Sequence, residues 1–193
     1  QIPVTKKLEY PKKDLKIPPY LLGALLGDGC LCQIPSLYFS NTEIDVIEKV
    51  KNLIENTYPN LTLNKNKNTQ CQYLVQYKNG YNHKIINNKK ILKDLDYYNL
   101  LGTKSHNKFI PKEYLLGSLE QRIELLKGLM DTDGHTYDGS YSISTTSEQL
   151  MKDLVYLGRS LGYIITVSKD TRPNKYKNSE FNYDVRFQTN DII

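Results

Sequence analysis

Two apolar segments of this chain repeat one pattern at a distance of 105 residues. Residues 21–29 are LLGALLGDG and residues 126–134 are LKGLMDTDG, and both segments have glycine third and Asp-Gly last. The elements that periodicity predicts after each segment repeat as well: a strand, an amphipathic helix and two further strands. A tandem duplication of this kind predicts a fold with pseudo-twofold symmetry, in which related surfaces meet across an axis.

Local signals place the elements within each repeat. A proline pair before an apolar run predicts a buried helix over Pro19–Asp28, and Asn41 or Thr42 is the predicted cap of the following amphipathic helix. Ser118 and Gln121 predict a capping box at the start of the second apolar helix. The other predicted elements are a strand in SLYFSNT, a hairpin of LTLNKNKN and CQYLVQYKNG, a short helix in NNKKILKDLDYYNL, a strand in YSISTT, a helix in SEQLMKDLVYLGRSLG, and strands in YIITVSKD and NYDVRFQT.

Small residues on the first apolar helix predict that the two repeated helices pack closely. Gly23, Ala24 and Gly27 remove side-chain bulk at spacings of three and four. A glycine inside a helix costs about 1 kcal/mol relative to alanine, so a compensating contact is expected. Packing around the axis would bring Asp28 and Asp133 together at helix C-termini, where the carbonyls already carry partial negative charge. A hard cation such as Mg²⁺ relieves this repulsion, because it binds carboxylate, carbonyl and phosphate oxygens.

Charge is distributed unevenly along the chain, whose formal net charge is +5. Residues 61–112 hold ten lysines against two aspartates, and residues 113–160 hold eight acids against four bases. A basic stretch rich in Asn, Gln and Tyr beside an acidic one favours a polyanion-binding surface next to a cation site; a solvated lysine-rich face has the same composition. No run approaches the ~20 apolar residues of a membrane span. The three cysteines, an odd number with a Cys-x-Cys spacing, predict reduced thiols in an intracellular protein.

The two nine-residue segments match the LAGLIDADG pattern, and the sequence resembles the LAGLIDADG homing endonucleases in their two-motif, single-chain form. NKFIP at residues 107–111 is also similar to the Lys-x-Ile-Pro element of endonucleases embedded in inteins. The resemblance implies an α+β fold in which each repeat runs αββαββα, the motif helices form the central interface, and antiparallel sheets form a saddle over duplex DNA. It implies a monomer with an internal pseudo-dimer: an N-terminal extension at 1–17, a first repeat at 18–117 and a second repeat at 118–193.

The activity that the resemblance implies is site-specific hydrolysis of both strands of duplex DNA at a long target, with staggered cuts that leave 3′ overhangs. Asp28 and Asp133 match the last acid of each motif, and would hold Mg²⁺ or Mn²⁺ ions that activate water and stabilise the leaving oxygen. The carbonyls of Gly27 and Thr132 would complete the coordination. Lys108 matches the catalytic lysine of the family, and would polarise the water network or offset charge on the scissile phosphate.

Two further polar residues belong to the second motif alone. Asp131 holds the place of the pattern's first acid, where the first motif has Leu26, so it is predicted to be a structural or interface acid. His135 follows the second motif directly and is a weaker candidate to approach the metal, because Cys30 holds that place in the first motif.

Side-chain alternation along the predicted strands selects the DNA-binding residues, since amides pair with adenine and lysine with guanine or phosphate. In the first repeat the groove-facing row is Gln70, Gln72, Leu74, Gln76 and Lys78. In the second repeat the row is Asn182, Asp184, Arg186 and Gln188, and phosphate contacts are predicted from Lys169, Arg172, Lys175 and Lys177. An ordinary solvent-facing strand would show the same alternation.

The sequence departs from the family pattern in its second repeat. The counterpart of Lys108 would fall at position 213, beyond Ile193, so we expect a shortened second repeat without an obvious second lysine. The chain begins with Gln1 and ends in NDII, so we expect an intein-type endonuclease domain without the splicing halves. Two alternatives stay open: a cleavage-deficient DNA- or RNA-binding member of the same fold, such as a maturase or a regulator, and an unrelated α/β protein whose apolar helices are only core.

Overall fold

The computed structural model of the chain describes residues 6–79, 89–137, 140–170 and 181–188. The first half contains α1 (Pro19–Asp28), β1 (Gly29–Cys30), β2 (Tyr38–Ser40), α2 (Ile44–Thr57), β3 (Leu61–Lys65), β4 (Gln72–Tyr77), α3 (Lys90–Tyr97), a 3₁₀ turn (Ser105–Asn107) and α4 (Lys112–Leu115). The second half contains α5 (Leu119–Asp133), β5 (Gly134–Tyr137), β6 (Ser140–Thr145), α6 (Glu148–Ser160), β7 (Ile164–Asp170) and β8 (Asn182–Gln188). Both halves therefore run helix, two strands, helix, two strands.

The strands form two antiparallel four-stranded sheets with the same order, β1-β2-β4-β3 and β5-β6-β8-β7. The predicted duplicated α+β fold is confirmed. Residue patterns alone miss β1 and β5, because strands of two and four residues directly after a helix are too short to show alternation. The described part of the second repeat runs to β8 and has no counterpart of α3.

The packing of α1 against α5 is symmetric at the level of single residues. A Cβ atom at Gly23 would lie 2.9 Å from the backbone nitrogen of Leu129, and one at Gly128 would lie 2.8 Å from the backbone nitrogen of Ala24. The two pairs are related by the 105-residue repeat. Because any side chain at either glycine would meet the backbone of the facing helix, the close packing that the small residues predict depends on both of them.

Helices cover one face of each sheet. The amphipathic helices α2 and α6 turn their apolar faces inward, burying Ile47, Val50 and Ile54 in one case and Leu150, Leu154 and Leu157 in the other. On β8, one of the two central strands of the second sheet, the buried residues alternate with partly or fully exposed ones: Tyr183, Val185 and Phe187 are buried. The alternate residues lie on the opposite face, which we call the open face of the sheet.

One fully buried arginine connects the N-terminal segment with α5 and α6. Arg122, on α5, donates to the carbonyls of Gly117 (3.0 Å), Ser160 (2.8 Å) and Leu8. Its guanidinium also lies 5.0 Å from the ring centre of Tyr10. A buried guanidinium is costly without acceptors, so Arg122 holds the segment around Leu8 and Tyr10 against α5 and α6.

Candidate metal and nucleic-acid site

The two motif aspartates are the last residues of the packed helices α1 and α5. Each helix is followed by a glycine in extended conformation, Gly29 or Gly134, whose N–H donates to a carbonyl one turn back. A Cβ atom at Gly27 would lie 3.5 Å from Cγ of Asp133, so the carboxyl of Asp133 sits against the end of α1. The repeat symmetry and the glycine at position 27 thus place Asp28 and Asp133 beside each other.

Both carboxyl groups have raised pKa values. The pKa of Asp28 is raised to about 6: burial and the charge of Asp133 raise it, and the hydrogen bond from Asn41 and the charge of Lys108 lower it. Partial loss of hydration also raises the pKa of Asp133, and the charge of the Lys108 ammonium lowers it. The ionised pair is therefore held in an unfavourable state, which a bound cation would relieve.

Lys108 lies at the same place, but as a cap on α1. Its Nζ donates to the carbonyls of Leu26 (2.7 Å), Gly27 (3.0 Å) and Gly29 (3.0 Å), and the side chain is buried. An ammonium has three N–H donors, so these three acceptors use all of them. Burial lowers the pKa of Lys108, while the charges of Asp133 and Asp28 raise it. The predicted catalytic role stays a prediction. A direct hydrogen bond from Lys108 to water or phosphate would require it to give up one of these carbonyls, whereas an electrostatic effect would not.

The predicted carbonyl ligands differ in their surroundings. The Gly27 carbonyl accepts from Lys108, which leaves one lone pair for another partner. The Thr132 hydroxyl lies 2.9 Å from the carbonyl of Gly128 and 3.1 Å from that of Leu129, so its one proton is shared between two carbonyls in the last turns of α5. Neither contact tests the ligand roles of these carbonyls, which stay predictions.

Asn41, which the sequence predicts as a helix cap, orients Asp28 instead. Asn41 Nδ2 donates to Asp28 Oδ2 at 2.6 Å, and Asn41 Oδ1 accepts from the backbone N–H of Glu43 at 2.7 Å. The predicted cap of α2 is therefore wrong: Glu43 precedes the helix, and no side chain caps its first turn. An asparagine before a helix is typical of a cap, so its link to Asp28 has no signal in the sequence.

Asp131 and His135, the other acid and the base of the motif region, make no described contact with Asp28 or Asp133. Asp131 accepts a hydrogen bond of 2.5 Å from the Tyr20 hydroxyl, across the α1–α5 interface. His135 is exposed on β5 and pairs with Ser142. Over the described residues, no group of three or more His, Cys, Asp and Glu side chains could hold a metal. Two carboxylates with nearby carbonyls nevertheless suit Mg²⁺, which keeps several waters and takes phosphate oxygens instead of an all-protein cage.

The open face of the first sheet carries part of the predicted DNA-binding row. On β4, Val75 is buried and Tyr73 and Tyr77 pack against the core, which leaves Gln72 and Gln76 on the other side. Gln72 Oε1 accepts from Asn66 at 2.9 Å on that side. The remaining polar members of the row have other surroundings: Lys78 forms an ion pair of 3.4 Å with Glu55, and Gln70 is exposed before β4 begins.

Two lysines of the basic stretch are also buried and do not contribute to a solvent-exposed basic surface. Lys89 donates to the carbonyl of Val75 at 2.7 Å, and Lys108 caps α1. The charge of residues 61–112 is therefore only partly available to a polyanion.

The open face of the second sheet holds the predicted row of β8, namely Asn182, Asp184, Arg186 and Gln188. Lys169 lies on the other face of this sheet and is exposed, and its predicted phosphate contact stays a prediction. It pairs with Tyr183 on the helix-covered face, and its Nζ lies 3.4 Å from the ring centre of Phe181. The sequence does not reveal this because β7 is an edge strand, mostly exposed on both faces, without hydrophobic alternation. Arg172, Lys175 and Lys177 lie outside the described residues.

Comparisons with known proteins identify a matching family model and two similar curated proteins. The family model described as homing endonuclease matches residues 109–193. The chain is 29% identical over 185 residues to the replicative DNA helicase DnaB of Mycobacterium intracellulare, which covers 95% of the chain and 26% of the helicase. It is 27% identical over 165 residues to DnaB of Synechocystis, covering 80% of the chain and 19% of that helicase. The chain thus spans about a quarter or less of the length of these curated relatives.

Solved structures share the fold. The structure of I-DmoI in complex with DNA and Mn matches with a TM-score of 0.56 and 14% identity, over 90% of this chain and 89% of that one. Structures of I-DmoI with DNA and Ca, and of a variant with target DNA in the presence of Mg, match with TM-scores of 0.56 and 0.55.

None of the helices in the described residues has the length and apolar character of a membrane span.

Proposed function

We propose that this chain, which has the LAGLIDADG endonuclease fold and whose residues 109–193 belong to the homing endonuclease family, hydrolyses both strands of duplex DNA at one long, specific site. The family and the fold support a DNA endonuclease. The specific target, the use of a divalent metal and the residues that act are our proposal. The observation that carries it is the pairing of Asp28 and Asp133 at the adjoining ends of α1 and α5.

The donor set at this point fits a hard divalent cation. Asp28 and Asp133 would hold it through their carboxylates, and their raised pKa values supply the reason that a cation stabilises the ionised pair. A bound Mg²⁺ or Mn²⁺ would supply Lewis-acid activation of water and charge stabilisation at the leaving oxygen. The I-DmoI structures with DNA and Mn, Ca or Mg support the use of a divalent metal by this fold.

The chain's own residues would fix the geometry of this site. Asn41 holds the carboxylate of Asp28 through a hydrogen bond of 2.6 Å. Lys108 donates to the carbonyls at the end of α1 and offsets their partial negative charge. Its ammonium also places a positive charge near both aspartates, where it would offset the charge of an incoming phosphate. DNA would lie across the open faces of the two sheets, which flank the helix ends and carry the polar rows of β4 and β8.

We also propose that the chain is the endonuclease segment of an intein. The helicase relatives match 95% and 80% of this chain but only 26% and 19% of their own lengths. A segment with an endonuclease fold inside a much longer helicase is what insertion of an endonuclease would produce. Mass spectrometry of the mature parent protein would test this: peptides of this chain should be absent from the helicase polypeptide, and their presence in it would contradict an intein.

Incubation with a library of random duplexes tests the endonuclease proposal. With Mg²⁺, sequencing of the cut ends should recover one long shared sequence with breaks in both strands, and EDTA should abolish the cuts. With Ca²⁺ in place of Mg²⁺, the same sequence should be enriched by binding alone. Enrichment by binding with no cut under any divalent metal would support the cleavage-deficient alternative, and no enrichment at all would refute both.

A further inference from the structure

Over its described residues, the open face of the second sheet carries little positive charge. Strand pairing places serines 142 and 144 of β6, Thr166 and Ser168 of β7, and the row of β8 on this face. Among the described residues of the face, Arg186 is the one Lys or Arg side chain. Arg186 also lies on a central strand, between β6 and β7, and not at a sheet edge.

An acid on its own strand, Asp184, orients the guanidinium of Arg186. Its Nε donates to Asp184 Oδ2 at 2.9 Å, and the Ser144 hydroxyl donates to the other oxygen of Asp184 at 3.2 Å. Directly opposite Arg186 are Ser142 and Thr166, whose short side chains leave the guanidinium uncovered. The Arg186 side chain is 61% exposed. The two terminal nitrogens, Nη1 and Nη2, are therefore presented outward as a fork.

A fork of this kind matches two ligands in DNA, a phosphate and the O6 and N7 acceptors of guanine. Phosphate attraction depends on net positive charge, and Asp184 offsets the charge of Arg186. Phosphate contacts also come naturally from the rims of a binding surface, whereas the centre of a sheet faces the floor of the groove. A charge-compensated, oriented arginine at the centre of the sheet favours the base.

We propose that Arg186 recognises one guanine of the target through O6 and N7, and that Asp184 does not contact DNA but positions Arg186. This inference rests on the proposed function, since it requires that DNA lies on the open face. It changes the predicted role of Asp184 from a DNA-binding residue to a positioning residue. The assignment gives one base pair of the unknown target a named determinant in the protein.

Selection of bound duplexes from a random library, with Ca²⁺ in place of Mg²⁺, tests the assignment. The wild-type chain should enrich a long sequence in which one guanine is preferred over other bases by about 5- to 150-fold, the range of a bidentate arginine contact. Arg186→Lys keeps the charge but loses the fork. It should bring that one position near to equal use of all bases, with little change elsewhere.

Two further variants separate base recognition from a general electrostatic effect. Asp184→Asn should weaken the same guanine preference and at the same time tighten binding to random DNA, because a carboxylate is removed from a DNA-facing surface. A merely structural role would not move these quantities in opposite directions. Lys169→Ala is the matched control, a cation on the neighbouring strand that faces the helices, and should change no base preference.

The outcomes separate the inference from the proposed function. A uniform loss of affinity in Arg186→Lys, with every base preference retained, would assign Arg186 to phosphate and overturn the inference alone. Unchanged preferences in Arg186→Lys would overturn it as well. If the wild-type chain enriches no sequence, the proposed function fails and the inference fails with it.

Discussion

Replacing Asp28 with asparagine should make the metal-free protein more stable while removing its proposed activity. The pKa of Asp28 is raised from 3.8 to about 6 in the folded chain, chiefly by burial. The folded state therefore binds more protons than the unfolded state between these two values, and stability falls as pH rises through this window. Above about pH 6 the full destabilisation is present, and below 3.8 it is absent.

The size of this effect follows from the same pKa values. A change of one pKa unit corresponds to 1.36 kcal/mol, so the values for Asp28 correspond to an upper limit of about 3 kcal/mol. Because the side chain keeps partial contact with solvent, we expect about 1 to 2 kcal/mol. Asp28→Asn removes the buried charge and keeps an oxygen that accepts from Asn41. The free energy of unfolding should therefore rise by that amount at pH 7.5.

Urea unfolding in EDTA measures this directly, for both proteins at each pH. The gain of Asp28→Asn over wild type should be full at pH 7.5 and should shrink toward zero as the pH falls from 6 to 4. Added Mg²⁺ should stabilise the wild-type protein and not the variant. Asp131→Asn is the matched control. It removes the same charge from the same region but weakens the hydrogen bond from Tyr20, so it should lower stability by about 0.5 to 1.5 kcal/mol. No gain for Asp28→Asn at pH 7.5, or an equal gain at pH 4, would refute the reasoning.

Three further variants probe the same region. Gly23→Ala should lower the free energy of unfolding in urea by at least about 2 kcal/mol, because its Cβ would meet backbone atoms of α5. The control Gly102→Ala, at φ 87° with open space around it, should lower it by about 1 kcal/mol. Equal losses in the two variants would contradict the tight interface. Lys108→Met should lower the melting temperature, since three carbonyls lose a charged donor, and an unchanged melting temperature would exclude the capping role. Asn41→Ala removes the bond that lowers the pKa of Asp28, so Asp28 should titrate above 6 by NMR; an unchanged or lower value would rule out Asn41 as a positioning residue.

The sequence predicts the symmetry of this molecule better than its contacts. The duplicated motif, the buried helix over Pro19–Asp28 and the capping box of Ser118 with Gln121 all agree with the structure, because each depends on a local or repeated pattern. The approach of Asp28 to Asp133 follows from the same duplication. It needs only the symmetry axis and the glycines between the helices.

Contacts between residues distant in sequence and without symmetry could not be predicted in this way. Lys108 reaches carbonyls about 80 residues away, and Arg122 is a charged residue whose burial depends on acceptors from three separate segments. Asn41 has the local pattern of a cap but bonds to Asp28. The face of Lys169 depends on strand register, which an exposed edge strand does not encode in its hydrophobic pattern.

The central claim is that Asp28 and Asp133 act together in one metal-dependent cleavage site. The most direct measurement is single-turnover cleavage of the recovered target duplex with Mg²⁺ by the wild-type chain, Asp28→Asn and Asp133→Asn, with DNA affinity measured on the same preparations. We predict that each variant binds the target nearly as well as wild type and makes no double-strand break. An Asp133→Asn protein that cuts both strands at the wild-type rate would contradict the account.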